Sequence, residues 1–405
     1  MTIKKFPEDF QVDEVLDPAF LSAQCSPAVK ISHRHPLYRL EKEGLATPEA
    51  VGMIANKWDL QRTAISHAGL KDKHAKCSQY ISIKIDEKPS KLPERDSGPG
   101  WSVERAGYLR EPITSQAILS NKFTLTLRNL APEDCNDLDE AAHILTIPGE
   151  TPALRVVNYF GDQRFGSARH GHGFLAKQLI KGEFEEALKL AIAVTARKDR
   201  QNVKMFKRTL SAAWGNWKQA LPRLPHCPER KAIEHLEQRP HDFRGAFCTL
   251  PYFFQQLCVY AYQSHLWNAT ARKLIAAKCG DAGPVLAAHD DYGEMLFPAA
   301  ESTPPELADL EIPVLGYKTE LTGVWKEAAE AVLKDEAIET ANLKIPGVRR
   351  PFFGEVQRTL FMKASNFNMQ KPVREGAASD RLKRAISFEL PRGCYATVVL
   401  RALGQ

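Results

Sequence analysis

The stretch "VVNYFGDQRFG", residues 156–166, divides the chain into two textures, and what lies on either side of it decides how the fold is read. Just before it stands "TIPGETPA" (146–153), whose two prolines and glycine interrupt regular elements. Upstream of that break, apolar and polar residues alternate in short runs. "FQVDEVL" (Phe10–Leu16), "YISIKI" (80–85) and "KFTLTLRNL" (122–130) predict strands. Among them "TPEAVGMIANKW" (47–58) predicts a helix, with Thr47 as N-cap, Pro48 at the first helical position and Val51, Ile54 and Ala55 on one face. Residues 86–100 form a Pro/Gly/charged loop. Downstream of 166 the patterns are longer and helical, in "GEFEEALKLAIAVTAR" (182–197) and "PYFFQQLCVYAYQSHLWNATARKLIAAK" (251–278). A second break, "KIPGVRRP" (344–351), precedes "AISFELP" (385–391) and "YATVVLRAL" (395–403), which read as strands again. The expected fold class is α+β: a mainly antiparallel, mixed sheet flanked by helices, built from 1–155 and 347–405 and interrupted by an inserted domain at 156–346.

Length agrees with two domains, since 405 residues exceed what one core usually supports. No apolar run approaches the roughly 20 residues of a membrane-spanning helix, so a soluble cytoplasmic protein with no membrane partner is expected. The eight cysteines lack metal-type spacing and read as reduced thiols. Net charge is +6, unevenly spread: residues 196–244 hold twelve Lys/Arg against five Asp/Glu, with Phe206, Trp214 and Trp217 among them. Residues 349–384 hold nine against three, and 281–339 carry fourteen acids against three lysines. Cations interleaved with aromatics suit a polyanion whose bases can stack, so a nucleic acid is the expected partner.

The residues able to carry chemistry fall in four stretches. In "HAGLKDKHAKCSQYISIKI" (67–85), Asp72 lies between Lys71 and Lys73 ahead of a strand. Neighbouring cations favour the charged form of a carboxylate, which suits a nucleophile or electrostatic stabiliser; an aspartate closing a turn is the plain alternative. The opening stretch places Asn158, Phe160, Arg164 and Phe165 within eight positions, either as a packed corner or as the lining of a site. "SNKFTL" (120–125) starts a strand whose Phe123 reads as core, and "FELPRGCYATVVLRAL" (388–403) carries a Pro-x-Gly turn. His170 and His172 leave a metal-dependent hydrolase as a competing reading, although the expectation is no metal.

These stretches, in this order, resemble the TruD family of tRNA pseudouridine synthases, whose members carry a G-x-K-D-x-x-A loop, an N-x-F strand start, an N-Y-F-G-x-Q-R-F-G segment and a terminal L-P-x-G-x-Y-A-T strand. "PEDFQVDEVL", "YRLEKEGLATPEA" and "AYQSHLWN" are similar to family segments as well, and the resemblance spans nearly the whole chain. It implies the pseudouridine synthase fold with an inserted TRUD domain, and an isomerase that converts a tRNA uridine, by family habit uridine 13, without cofactor. It implies Asp72 as the catalytic aspartate. It further implies substrate contacts from Lys71, Gln79, Asn121, Phe123, Asn158, Phe160, Arg164 and Phe165, with tRNA as partner and a monomeric enzyme. His74 stands where the family usually has Lys or Arg, and Cys77 and Ser78 replace threonines. A non-catalytic RNA-binding or RNA-folding protein on the same scaffold is the alternative.

Overall fold

The computed structural model describes residues 2–28, 30, 32–84, 92–150, 152–166, 173–196, 199–376 and 379–404. It divides into two compact units: Met1–Val156 with Ala299–Glu301 and Met362–Gln405, and Val157–Pro298 with Ser302–Phe361. No helix among the described residues is long and apolar enough to cross a membrane.

The first unit is built on a mixed sheet. Its strands run in the order Cys25–Ser26, Trp101–Leu109, His35–Lys42, Lys76–Ile83, Phe10–Leu16, Ile118–Leu130, Leu382–Pro391, Phe361–Met369 and Leu154–Val157, with three short strands pairing off this path. The Phe10 strand is the pivot. It runs parallel to the Lys76 strand and antiparallel to the Ile118 strand. Burial along it alternates strictly, as its sequence pattern requires of a strand with one covered face. The helix Thr47–Lys57 covers part of that face, burying Ala50, Val51, Ile54 and Ala55 against Tyr38, Leu40, Ile81 and Ile83.

The second unit is mainly helical and centres on Tyr252–Cys279. That helix is buried on most of its circumference, so its sequence shows little amphipathic periodicity. Buried polar groups on it find partners: Gln263 Nε2 donates to the carbonyls of Leu315 and Gly354, each at 2.8 Å, and Trp267 Nε1 donates to Ile312 at 3.0 Å. A hairpin, Val285–Asp290 with Gly293–Pro298, and a second antiparallel pair, Glu311–Val314 with Val356–Thr359, pack beside it.

Three local expectations need correction. The segment expected as the last strand is a helix, Ala396–Ala402, because its apolar residues are buried almost continuously. Such a run carries no periodicity that separates helix from strand. Within the expected loop 86–100, Arg95–Gly98 is a strand that pairs with Trp101–Leu109; residues 86–91 lie outside the described residues. Thr47 is not the N-cap of its helix, a place taken by Ala46, because the Thr47 hydroxyl is engaged elsewhere.

Candidate active site

Strand register puts a set of chemically able side chains on one face of the first unit's sheet. Directly opposed residues on paired strands share a face. Glu14 opposes Asn121 and Val12 opposes Phe123; Phe123 in turn opposes Phe388. On the other side Val12 aligns with Cys77, and Cys77 opposes Lys42. With Gln79 two residues beyond Cys77, one surface therefore carries Lys42, Cys77, Gln79, Glu14, Asn121, Phe123 and Phe388.

The loop bearing Lys71 and Asp72 is fastened to this face. The Lys71 N–H donates to Thr47 Oγ1 at 2.9 Å, and that hydroxyl donates to Gln79 Oε1 at 2.9 Å. Lys42, 2% exposed, donates from Nζ to the backbone carbonyls of Asp72 and Leu45, each at 2.7 Å. Burial pushes the Lys42 amine below the usual lysine range, and burial likewise raises the Cys77 thiol. Lys71 Nζ forms a short hydrogen bond to Asn121 Oδ1 and an ion pair with Glu14 Oε1 at 3.0 Å. The other Glu14 oxygen accepts from the Tyr80 N–H at 2.9 Å. A buried carboxylate that meets an ammonium and a backbone donor has its charge compensated.

The cation that meets the Asp72 carboxylate comes from 68 positions away: Lys4 Nζ lies 2.9 Å from Asp72 Oδ2. The same ammonium sits 3.9 Å from the centroid of the Phe10 ring. Phe10 packs edge-on to Phe123, which leans on Phe388 at 5.6 Å between centroids. A partly exposed carboxylate and a wall of three aromatic rings are thus joined through one lysine. The Lys71 side chain is only 9% exposed and turns to Glu14 and Asn121. Lys73 is occupied by Glu49 at 2.9 Å.

Of the other expected site residues, Gln79 is fully buried. Its effect reaches the loop through Thr47. Asn158, Phe160, Arg164 and Phe165 lie in the second unit and form a packed corner. Arg358 donates to the Asn158 carbonyl at 2.8 Å and to Asn158 Oδ1 at 2.6 Å, and its guanidinium covers the Phe160 ring at 4.0 Å. Asn158 Nδ2 donates to the Thr359 carbonyl and Oγ1, both at 3.2 Å. Phe160 exchanges two backbone hydrogen bonds with the Asn268 amide, and Arg164 lies 5.3 Å from the Phe160 ring centroid. Phe165 is buried against Tyr292. The Asn158 amide is thus engaged by the protein on both of its ends and Phe165 is enclosed, whereas Gln79 uses its Oε1 on Thr47 and its buried Nε2 has no hydrogen-bond partner among the described residues. His170 and His172 lie outside the described residues.

The aromatic residues of the basic run pack against the protein, Trp214 while half-buried. Phe206 and Trp217 are buried, Trp214 donates from Nε1 to Glu185 at 3.0 Å, and Lys207 is buried with Asp199 at 2.6 Å. Several site members escaped the sequence reading, among them Lys42, Glu14 and Lys4. Glu14 did leave a signal, as an acid at an inward position of an alternating strand. Lys4 left none, because only sheet pairing brings it to Asp72.

Comparison with known proteins first fixes the class. The chain shares the pseudouridine synthase fold of a Methanosarcina mazei crystal structure described as "Putative tRNA pseudouridine synthase D (TruD)": the TM-score is 0.71, with 23% identity, covering 99% of this chain and 92% of that one. The family follows from sequence. The family model for tRNA pseudouridine synthase D (TruD) matches residues 1–403, and the chain belongs to that family of isomerases. The Aquifex aeolicus tRNA pseudouridine synthase D is 30% identical over 99% of this chain and 97% of its own length. A Methanococcus maripaludis relative named "Probable tRNA pseudouridine synthase D 1" is 26% identical over 99% and 98%.

Proposed function

We propose that this chain isomerises a uridine of tRNA to pseudouridine, with Asp72 as its catalytic carboxylate. The observation that carries the reading is the Asp72 loop, pinned by Lys42, Thr47 and Lys71 over a face that holds the partly exposed Asn121 and the ring of Phe123, which is 8% exposed. The reaction breaks the N1–C1′ bond, turns the uracil, forms the C5–C1′ bond, and moves a proton from C5 to solvent while N1 takes one up. Atoms and electrons balance without redox partner or group donor. Asp72 acts at the ribose, either by attacking C1′ or by removing the C2′ proton. Lys4 stands beside the carboxylate at 2.9 Å.

Extruding a uridine from its stack costs on the order of a few kcal/mol, which stacking of roughly 1–3 kcal/mol on an aromatic ring can offset. Phe123, backed by Phe10 and Phe388, supplies that ring. Residues 1–155 and 347–405 act as the catalytic domain and 156–346 as the inserted one. The chain works as a cytoplasmic monomer, and uridine 13 is its target.

An Asp72→Asn protein incubated with tRNA labelled with tritium at uridine C5 tests the assignment. Tritium release is expected to vanish while tRNA binding persists; continued release would return the chain to an RNA-binding protein whose aspartate closes a turn. Mapping pseudouridine in tRNA with and without the gene tests position 13, which fails if another uridine loses its modification.

A further inference from the structure

Resting on that reading, we propose that Lys71, backed by Glu14, locks the Asn121 amide so that only its NH2 group faces the substrate, which makes Asn121 the reader of a carbonyl oxygen on the base.

An amide is usually ambiguous, because its oxygen and nitrogen are near-equal in size and each can be turned outward. Here the partner removes the ambiguity. A lysine ammonium has three donors and no acceptor, so the Asn121 atom it meets is the carbonyl oxygen. Lys71 is itself immobilised, nine-tenths buried and paired with Glu14, whose side chain is fully buried and tied by its second oxygen to the Tyr80 N–H. Glu14 directly opposes Asn121 across the two strands, so the three groups form one rigid unit. Among the described residues Asn121 Nδ2 makes no hydrogen bond, and the residue is partly exposed. Phe123, two positions along, shares its face, and Asp72 follows Lys71 directly.

A base lying against Phe123 therefore meets a pair of donors that cannot be exchanged for an acceptor. Uracil offers carbonyl oxygens at positions 2 and 4. Cytosine shares the oxygen at position 2 and differs at position 4, where it offers an amino group; with the Asn121 amide on position 4, cytosine would set donor against donor and leave both unpaired, the arrangement that discriminates best between similar ligands. Asn121 thus selects the base, and Lys71 and Glu14 are positioning residues acting through it.

The test compares binding of the full chain to single-stranded oligouridylate and oligocytidylate of equal length, by fluorescence anisotropy at one salt concentration. The wild type is expected to prefer oligouridylate by about tenfold, one hydrogen-bond mismatch. Asn121→Asp turns the group into an acceptor and should reverse the preference. Lys71→Met frees the amide to rotate and should erase it, and adding Asn121→Ala to Lys71→Met should change nothing further. Asn121→Ser, which can donate or accept, should also lose the preference, and it keeps the test open if the aspartate variant does not fold. A wild type without preference, an aspartate variant that keeps it, or additive effects of the Lys71 and Asn121 changes would each overturn the proposal. Tritium release from tRNA is read in parallel: a wild type that releases none defeats the synthase reading, while the uridylate preference still judges the amide.

Discussion

Replacing Lys42 by methionine asks how much of the activity depends on holding the Asp72 backbone. The lysine is almost inaccessible, and burial already disfavours its charged form. Its retention there is explained by the two 2.7 Å bonds to the carbonyls of Asp72 and Leu45. Methionine has similar length and volume, so little cavity opens. Each carbonyl deprived of its donor costs about 1–3 kcal/mol, roughly 2–6 for the pair, while removing a buried ammonium returns part of that; a net loss of roughly 1–4 kcal/mol in stability follows. Turnover should suffer more. A reacting group displaced by about 1 Å loses on the order of 100-fold in rate, and the Asp72 carbonyl is the nearest backbone tether to the reacting carboxylate. The assay is tritium release from C5-labelled tRNA, with kcat and KM resolved, beside thermal denaturation and a tRNA binding isotherm. The expected pattern is a large fall in kcat with unchanged tRNA affinity. Cys77→Ala, which removes a weak thiol contact to the same oxygen at 3.9 Å, should cost far less. A Lys42→Met protein that melts earlier yet turns over at the wild-type rate would refute the reasoning, since the loop would then not need this tether.

Phe123→Leu keeps an apolar side chain in the wall of Phe10 and Phe388, so stability should fall by less than about 1.5 kcal/mol. Loss of base stacking worth about 1–3 kcal/mol should still lower kcat/KM by roughly 5- to 150-fold, and unchanged kcat/KM would remove the stacking role. Lys207→Glu should cost about 3–5 kcal/mol in urea unfolding, because it leaves Asp199 facing a buried like charge; a variant of full stability with an altered salt dependence of tRNA binding would restore Lys207 to an RNA surface. In the second unit, burial opposes ionisation of Glu336, but hydrogen bonds from His265, Lys177 and Tyr262 outweigh it and bring its pKa from 4.5 to about 2. A depressed carboxylate stabilises the folded state fully above its unfolded pKa. About 3 kcal/mol should therefore be lost as pH falls from about 4.5 toward 2, and Glu336→Gln should flatten that slope in acid unfolding; an equally steep slope in the variant would place the acid sensitivity elsewhere.

Strands with one covered face were readable because their period of two is written in adjacent residues, as in Phe10–Leu16, where the structure reproduces the sequence range. The terminal segment Ala396–Ala402 was not, because β-branched residues buried on all sides satisfy either geometry and tertiary packing decides. The site divides in the same way. Asp72 and Lys71 stood out as a local cluster, yet what Lys71 does depends on Glu14 and Asn121, 57 residues before it and 50 after. The basic run misled for a related reason: composition counts Lys207 and Trp217 equally whether they face solvent or the core, and only packing shows that both face inward.

Register converts these distant residues into a site. The Phe10 strand lies between a parallel and an antiparallel neighbour, and on both sides its even-numbered residues align with the functional set. A slip of one residue against the Ile118 strand would bring Lys122 to the face where Asn121 now stands and turn Phe123 away. The Lys71 ammonium would then meet a second cation in place of a carbonyl oxygen, next to a buried Glu14. That arrangement has no charge balance, so the electrostatics of the site reinforce the one pairing that the hydrophobic pattern already favours. The lone acid of the basic loop is consistent with this: its sequence neighbours are turned to Glu14 and Glu49, and its own cation, Lys4, arrives from the segment that leads into the pivot strand.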